Sequence, residues 1–223
     1  MYNYNFEKYT DRPPEFGELT LSFSLQPVSL QSSSRKKEFI KNEIRKTTSK
    51  LKYLLSGDVK VEIQWILHEQ ERYESGESPD IDNIIKPILD GISGPNGILI
   101  DDCQVQTIWS HWLDWTKNEH QINIEIRYRA DEFVAKSNLI FVNIGRKLYM
   151  PFHTDLDKEA NKLIIESLLQ MMKLKKEVMD ETGDYYLTKF FHSGQRVFHK
   201  NRVFEDFRTM EYEEFKTFLS QKN

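Results

Sequence analysis

The stretch SPDIDNIIKPILDGISGPNGILIDDCQV (78–105) holds five aspartates, four of them in two tight sets, Asp80/Asp82 and Asp101/Asp102. Carboxylates placed together repel unless something positive lies between them. Asp80 and Asp82 fall where an extended segment enters an apolar helix, with Asp82 placed to cap it. Extended residues two apart point the same way, so both carboxylates can face one pocket. Lys86, four residues after Asp82, shares that polar helix face. Asp101 and Asp102 open the exposed part of a strand that a tight turn brings back beside the helix. Adjacent strand residues point to opposite faces, so only one of the two joins the first pair directly. Three carboxylates from a helix start and a neighbouring strand make an oxygen-rich site suited to Mg²⁺, with Mn²⁺ as a substitute. A calcium loop does not fit, because Ile84 stands where such a loop needs its third oxygen ligand. Taken singly, each aspartate has a plain structural role open to it: a cap, a solvated loop residue, a turn.

These residues need elements to hold them. The chain has 223 residues, 39% apolar and 30% charged, with a net charge of −4. That composition builds a globular core and gives no generally basic coat, although a local basic face remains possible. Cys103 is the only cysteine, which excludes intrachain disulfides and Cys-rich zinc sites. No segment has the apolar length of a signal peptide or a membrane span, so a cytoplasmic protein that makes no use of a membrane is expected.

Residues 1–17, broken by Pro13, Pro14 and Gly17, read as a flexible lead-in. Alternation predicts strands over 18–26, 58–67 and 120–128, and another that begins in ILIDDCQVQTIW. A helix follows SLQSSSRKKEF, with Ile40, Ile44, Thr47, Leu51 and Leu55 inward and Gly57 as its stop. Residues 68–79 read as a polar, acidic loop. Ile81, Ile84, Ile85, Ile88, Leu89 and Ile92 line the second helix, ended by Ser93–Gly97; Pro87 is placed near its first turn. The order β-α-β-α-β-β over 18–129 predicts an α/β (α+β) domain, a mixed sheet with two helices on one face. Residues 130–223 read as a C-terminal α+β extension: a hairpin turning at 143–146, a long helix over 154–183, a second hairpin turning at Ser193-Gly194, and a short helix over 211–220. In that second hairpin, burial of Tyr185, Tyr186, Phe190 and Phe191 on the long helix is favoured over base stacking. His192 and His199 have no matching partners for a metal.

The full string, D-I-D-N-I-I-K, then L-D, a glycine-bearing turn and I-D-D-C-Q-V, resembles the signature of the RusA family of Holliday junction resolvases. Outside 78–105 the resemblance is one of element order, over about 18–128. It implies a homodimeric, Mg²⁺-dependent endodeoxyribonuclease that resolves four-way junctions and other branched DNA by symmetric nicking, in recombination and repair. Carried over by position, the catalytic and metal-binding aspartates are Asp80, Asp82 and Asp102, the catalytic lysine is Lys86, and Asp101 supports the metal site. Pro79 stands where the best-known member has a basic residue, and the chain runs more than ninety residues past the last core strand.

An acidic site acting on an acidic polymer needs a basic surface to deliver it. The helix RKKEFIKNEIRKTTSKLK (35–52) supplies one, with Lys37, Lys41 and Arg45 repeating every four residues; a solvated helix face has the same pattern. Two other classes stay open on the residues alone. One is a D-x-D metal-dependent nucleotidyltransferase, although no upstream Gly-Ser turn supports it. The other is a non-enzymatic accessory protein that binds branched DNA, its aspartates purely structural.

Overall fold

The computed structural model describes residues 6–26, 28, 32–76, 80–155, 157–191 and 195–221. The chain divides into two compact units, residues 1–136 and 137–223.

In chain order the first unit runs β1 (Glu18–Phe23), α1 (Ser34–Thr48), β2 (Tyr53–Leu55), β3 (Val59–His68), α2 (Glu69–Glu74), α3 (Ile81–Ile92), β4 (Val105–Trp115), β5 (Gln121–Arg127) and β6 (Phe133–Ala135). Four strands form a mixed sheet in the order β1-β5-β3-β4, with β3 and β4 parallel and the other pairs antiparallel. Period-two alternation sends Val59, Val61, Ile63 and Trp65 of β3 and Ile122, Ile124 and Ile126 of β5 to one face. There they share a core with Ile40 and Ile44 of α1 and Ile84, Ile88 and Ile92 of α3. The expected α+β layering, two helices over one face of a mixed sheet, is what forms. The helices meet at Gly91, where a Cβ would come within 2.8 Å of Ile44 Cδ1. A glycine inside a helix weakens it by about 1 kcal/mol relative to alanine; here it admits the neighbouring helix.

Several local expectations are corrected. The first helix stops at Thr48 instead of running to Leu55, and the Thr48 hydroxyl donates to Ile44 O (3.3 Å) and Asn96 O (2.6 Å). Tyr53–Leu55 is fully buried and pairs antiparallel with β6, so a partner eighty residues away overrides the helical periodicity. The loop expected over 68–79 contains the short helix α2. Pro87 sits at the seventh position of α3, past its first turn, with its ring buried. Residues 10–17 are tied down: Lys52 N donates to Thr10 O, and the Tyr128 hydroxyl donates to Pro14 O. The unit closes at Lys136, later than residue 129, because β6 returns to β2.

The second unit comprises β7 (Leu139–Asn143), β8 (Leu148–His153), α4 (Lys158–Thr182), β9 (Phe198–His199), β10 (Thr209–Met210) and α5 (Tyr212–Gln221). β7 and β8 form the expected first hairpin, in a sheet ordered β10-β7-β8-β9. The Asp157 side chain caps the start of α4, and Gly183 ends it at φ 66°, a left-handed conformation that suits glycine. Ile165 and Leu168 of α4 pack with Ile140, Val142, Phe152 and Phe215. The second hairpin does not form. Tyr186–Phe191 is a 3₁₀ turn, only Phe198–His199 joins the sheet, and the turn expected at Ser193-Gly194 lies outside the described residues, as does His192. Tyr186 and Phe190 are 71% and 89% exposed, so they are not buried on the long helix. No helix among the described residues is long and apolar enough to cross a membrane.

Lys136 closes the first unit from within, its ammonium donating to Thr48 O (3.0 Å) and Gly97 O (2.7 Å). Burial without an acidic partner pushes its pKa down to about 8 from 10.5. Between those values the unfolded chain keeps a proton that the native chain has released, so this group makes stability rise with pH. Comparing thermal unfolding of the wild type with Lys136→Met, the wild type should gain on the variant from pH 7 to pH 10, by roughly 3 kcal/mol at most. A difference that does not change with pH would show that the ammonium is not held at that cost.

Candidate active site

Two pieces of backbone meet at the site: the start of α3 and the turn that precedes β4. Asp80 is the residue before the helix, extended (φ −64°, ψ 149°) and exposed, and it makes no capping hydrogen bond. Asp82, expected as the cap, lies in the first turn instead. Its carboxylate still favours the helix, because the N-terminus carries a partial positive charge. Residues 77–79, including Pro79, lie outside the described residues.

The second piece is not simple strand. Asp101 is extended, and Asp102–Gln104 form one 3₁₀ turn. Asp101 Oδ1 accepts from Cys103 N (2.9 Å), closing the turn from inside. Gln104 is fully buried and satisfies both ends of its amide. Its Oε1 accepts from Ile100 N (2.7 Å) and Asp101 N (3.0 Å), and its Nε2 donates to Leu55 O (2.8 Å) and Gly57 O (2.7 Å). The turn carrying Asp102 is thereby fastened to the corner between β2 and β3.

Lys86 joins the two pieces. Its ammonium donates to Asp102 Oδ2 at 2.6 Å and pairs with Asp90 Oδ1 at 2.7 Å, one helical turn on. Partial burial pulls the lysine pKa down, but the hydrogen bonds to Asp102 and Asp90 outweigh this and hold it above its ordinary value. Lys86 is therefore a cation at neutral pH.

Lys86 and Asp102, both expected in the site, are in direct contact. Asp101 is placed beside them, with one oxygen engaged in its own turn. Among the described residues no three His, Cys, Asp or Glu side chains are gathered closely enough to hold a metal ion. The donors at the two pieces are nonetheless all carboxylates, the chemistry a hard divalent cation prefers. Asp90 and Gln104 stand in the quoted signature, but the signature assigns neither of them a role. Asp90 had a visible signal in its four-residue spacing from Lys86, whereas a polar residue after two aspartates looks like turn composition and gives no hint of burial.

Of the basic residues proposed for DNA, Lys37 and Lys41 are half-buried on α1, and Lys41 pairs with Glu38 at 3.5 Å. Arg45 turns elsewhere. Its Nη2 donates to Ser93 O (3.2 Å) and Asp90 O (3.5 Å), satisfying carbonyls at the end of α3. His199 accepts from Asn201 N and caps a turn.

Comparison with known families assigns the class: residues 28–127, which contain every aspartate of the site, match a family of DNA endonucleases. That family is endodeoxyribonuclease RusA, and residues 28–127 of the chain are similar to it. Its members are structure-specific endonucleases that act on Holliday junctions. No curated protein matches the chain.

The Gln104 contacts generate a stability prediction. Gln104→Met keeps the length of the side chain but strands two backbone N–H and two C=O groups. The expected loss is about 2–4 kcal/mol of unfolding free energy by chemical denaturation. A loss below 1 kcal/mol would mean that the turn does not depend on this amide.

Proposed function

We propose that this protein is a divalent-metal-dependent endonuclease that cuts Holliday junctions and related branched DNA by paired symmetric nicks, acting as a homodimer in recombination and repair in the cytoplasm. The observation that carries the reading is the Lys86–Asp102 contact, made between the helix start bearing Asp80 and Asp82 and the turn bearing Asp101, inside the segment that matches the RusA family. Neither rival class has an observation in its favour.

Asp80, Asp82 and Asp102 would hold Mg²⁺, or Mn²⁺ in its place, with Asp101 supporting the turn. When bound, the ion supplies Lewis acidity and charge neutralisation to an anionic phosphodiester. The protein's part is electrostatic and geometric. Lys86, charged and anchored, faces the negative charge that grows on the phosphate oxygens as the nucleophile approaches. Asp102 accepts from the lysine ammonium, so it would fix the lysine relative to the scissile phosphate. The basic residues of α1, the half-buried Lys37 and Lys41 among them, stand on the helix packed against α3 and would take the flanking phosphates. Two nicks on opposing strands need two such sites, which a two-fold dimer provides.

Purified protein should nick synthetic four-way junctions in Mg²⁺ and leave them intact in EDTA. Absence of cleavage on any branched DNA with Mg²⁺ or Mn²⁺ would sink the reading. Lys86→Ala should slow cleavage of saturated junction by about a hundredfold, equivalent to ~3 kcal/mol of transition-state stabilisation, with affinity nearly unchanged. Replacing Lys37 and Lys41 together should reverse that split, weakening binding and flattening its salt dependence while single-turnover cleavage at saturation holds. Equal salt slopes for variant and wild type would remove α1 from the DNA surface.

A further inference from the structure

Asp90 stands in the last turn of α3, where a carboxylate does the helix no good. The C-terminal end of a helix carries partial negative charge, so an acid there is unfavourable. The order of its ion pair is also the weaker one, since helices gain more from an acid four residues before a lysine than from one four residues after. The Asp90 side chain is 46% exposed, so it fills no place in the core. Its carboxylate, against all this, lies 2.7 Å from the Lys86 ammonium.

The same ammonium lies 2.6 Å from Asp102. A lysine side chain has four rotatable bonds and loses much rotamer freedom when fixed, so a single partner on a half-exposed lysine holds it loosely. Two carboxylates, one from its own helix and one from the turn before β4, define its position far better. They differ in kind, because Asp102 sits on the turn before β4 and would also hold the metal ion, whereas Asp90 shares a helix with the lysine and moves with it.

We propose that Asp90 is the positioning residue for Lys86: its carboxylate anchors the ammonium from the α3 side and keeps it aimed at the scissile phosphate when Asp102 serves another partner. The inference rests on the nuclease reading and adds a residue to it. Asp90 touches neither DNA nor the reacting atoms, and acts only through the lysine.

The test is a double-mutant cycle on junction cleavage under single-turnover conditions, with affinity measured separately. Asp90→Asn should slow cleavage on the order of tenfold, leave junction affinity unchanged, and leave the melting temperature equal or slightly raised, because it removes an acid from the helix end. Asp90→Glu, which keeps the charge, should recover part of the rate. In a Lys86→Ala background, Asp90→Asn should have no further effect. The proposal fails if Asp90→Asn cuts at the wild-type rate, if it slows the Lys86→Ala enzyme further, or if it lowers affinity in step with rate. A wild type that cleaves no junction would overturn the nuclease reading and the proposal with it, and that outcome is distinct from a wild type that cleaves while Asp90→Asn matches it.

Discussion

A primary amide buried in an apolar core must find partners for both its ends or lose several kcal/mol, and Gln104 finds four. Its oxygen gathers the N–H groups of Ile100 and Asp101, and its nitrogen reaches carbonyls at Leu55 and Gly57. That arrangement fixes more than the turn. Leu55 ends β2 and Gly57 leads into β3, so one side chain registers the loop of the active site against two strands of the unit. Ile98 N and Leu99 N both donate to Ile92 O, which ties the same loop to the end of α3. The helix start with Asp80 and Asp82 and the turn with Asp102 therefore belong to one framework. Their relative placement is set by hydrogen bonds deep in the unit, away from the surface where the chemistry takes place.

On that framework the electrostatics are unbalanced by design. Five carboxylates share two adjacent elements, and the cation seen among them is Lys86. Its pairing with Asp90 and Asp102 relieves part of the repulsion among them. An added cation would compete with Lys86 for Asp102, and the carboxylate can serve both only if the lysine has another hold. The lysine does, on its own helix.

Much of this was legible in the sequence where a single rule dominates. The stripe of Ile84, Ile88 and Ile92, the alternation of β3 and β5 and the Ser33 cap of α1 are local patterns that tertiary packing reinforces. The quoted aspartates and Lys86 were legible for a different reason, since a dense run of like charges next to a clean apolar helix has few structural uses. What could not be read depends on distant partners. Leu51 and Leu55 continue the periodicity of α1, yet Tyr53–Leu55 is claimed by β6. Tyr185 to Arg202 alternates like a hairpin, but Tyr186–Phe191 curls into a 3₁₀ turn and only two residues pair. The burial of Gln104 had no local signature at all.

Arg45 shows how charge counting along a helix overstates a binding surface. Spacing puts it in line with Lys37 and Lys41, and a guanidinium on a basic helix invites a phosphate. The end of α3, however, presents carbonyls with no partner inside the helix, and a planar group with five donors satisfies them better than water does in a half-buried place. Arg45 thus holds α1 to the far end of the helix whose start carries Asp80 and Asp82. Its part is architectural: it helps fix the angle between α1 and the helix that carries the aspartates. At the other end of α1, Arg35 and Lys36 stay exposed.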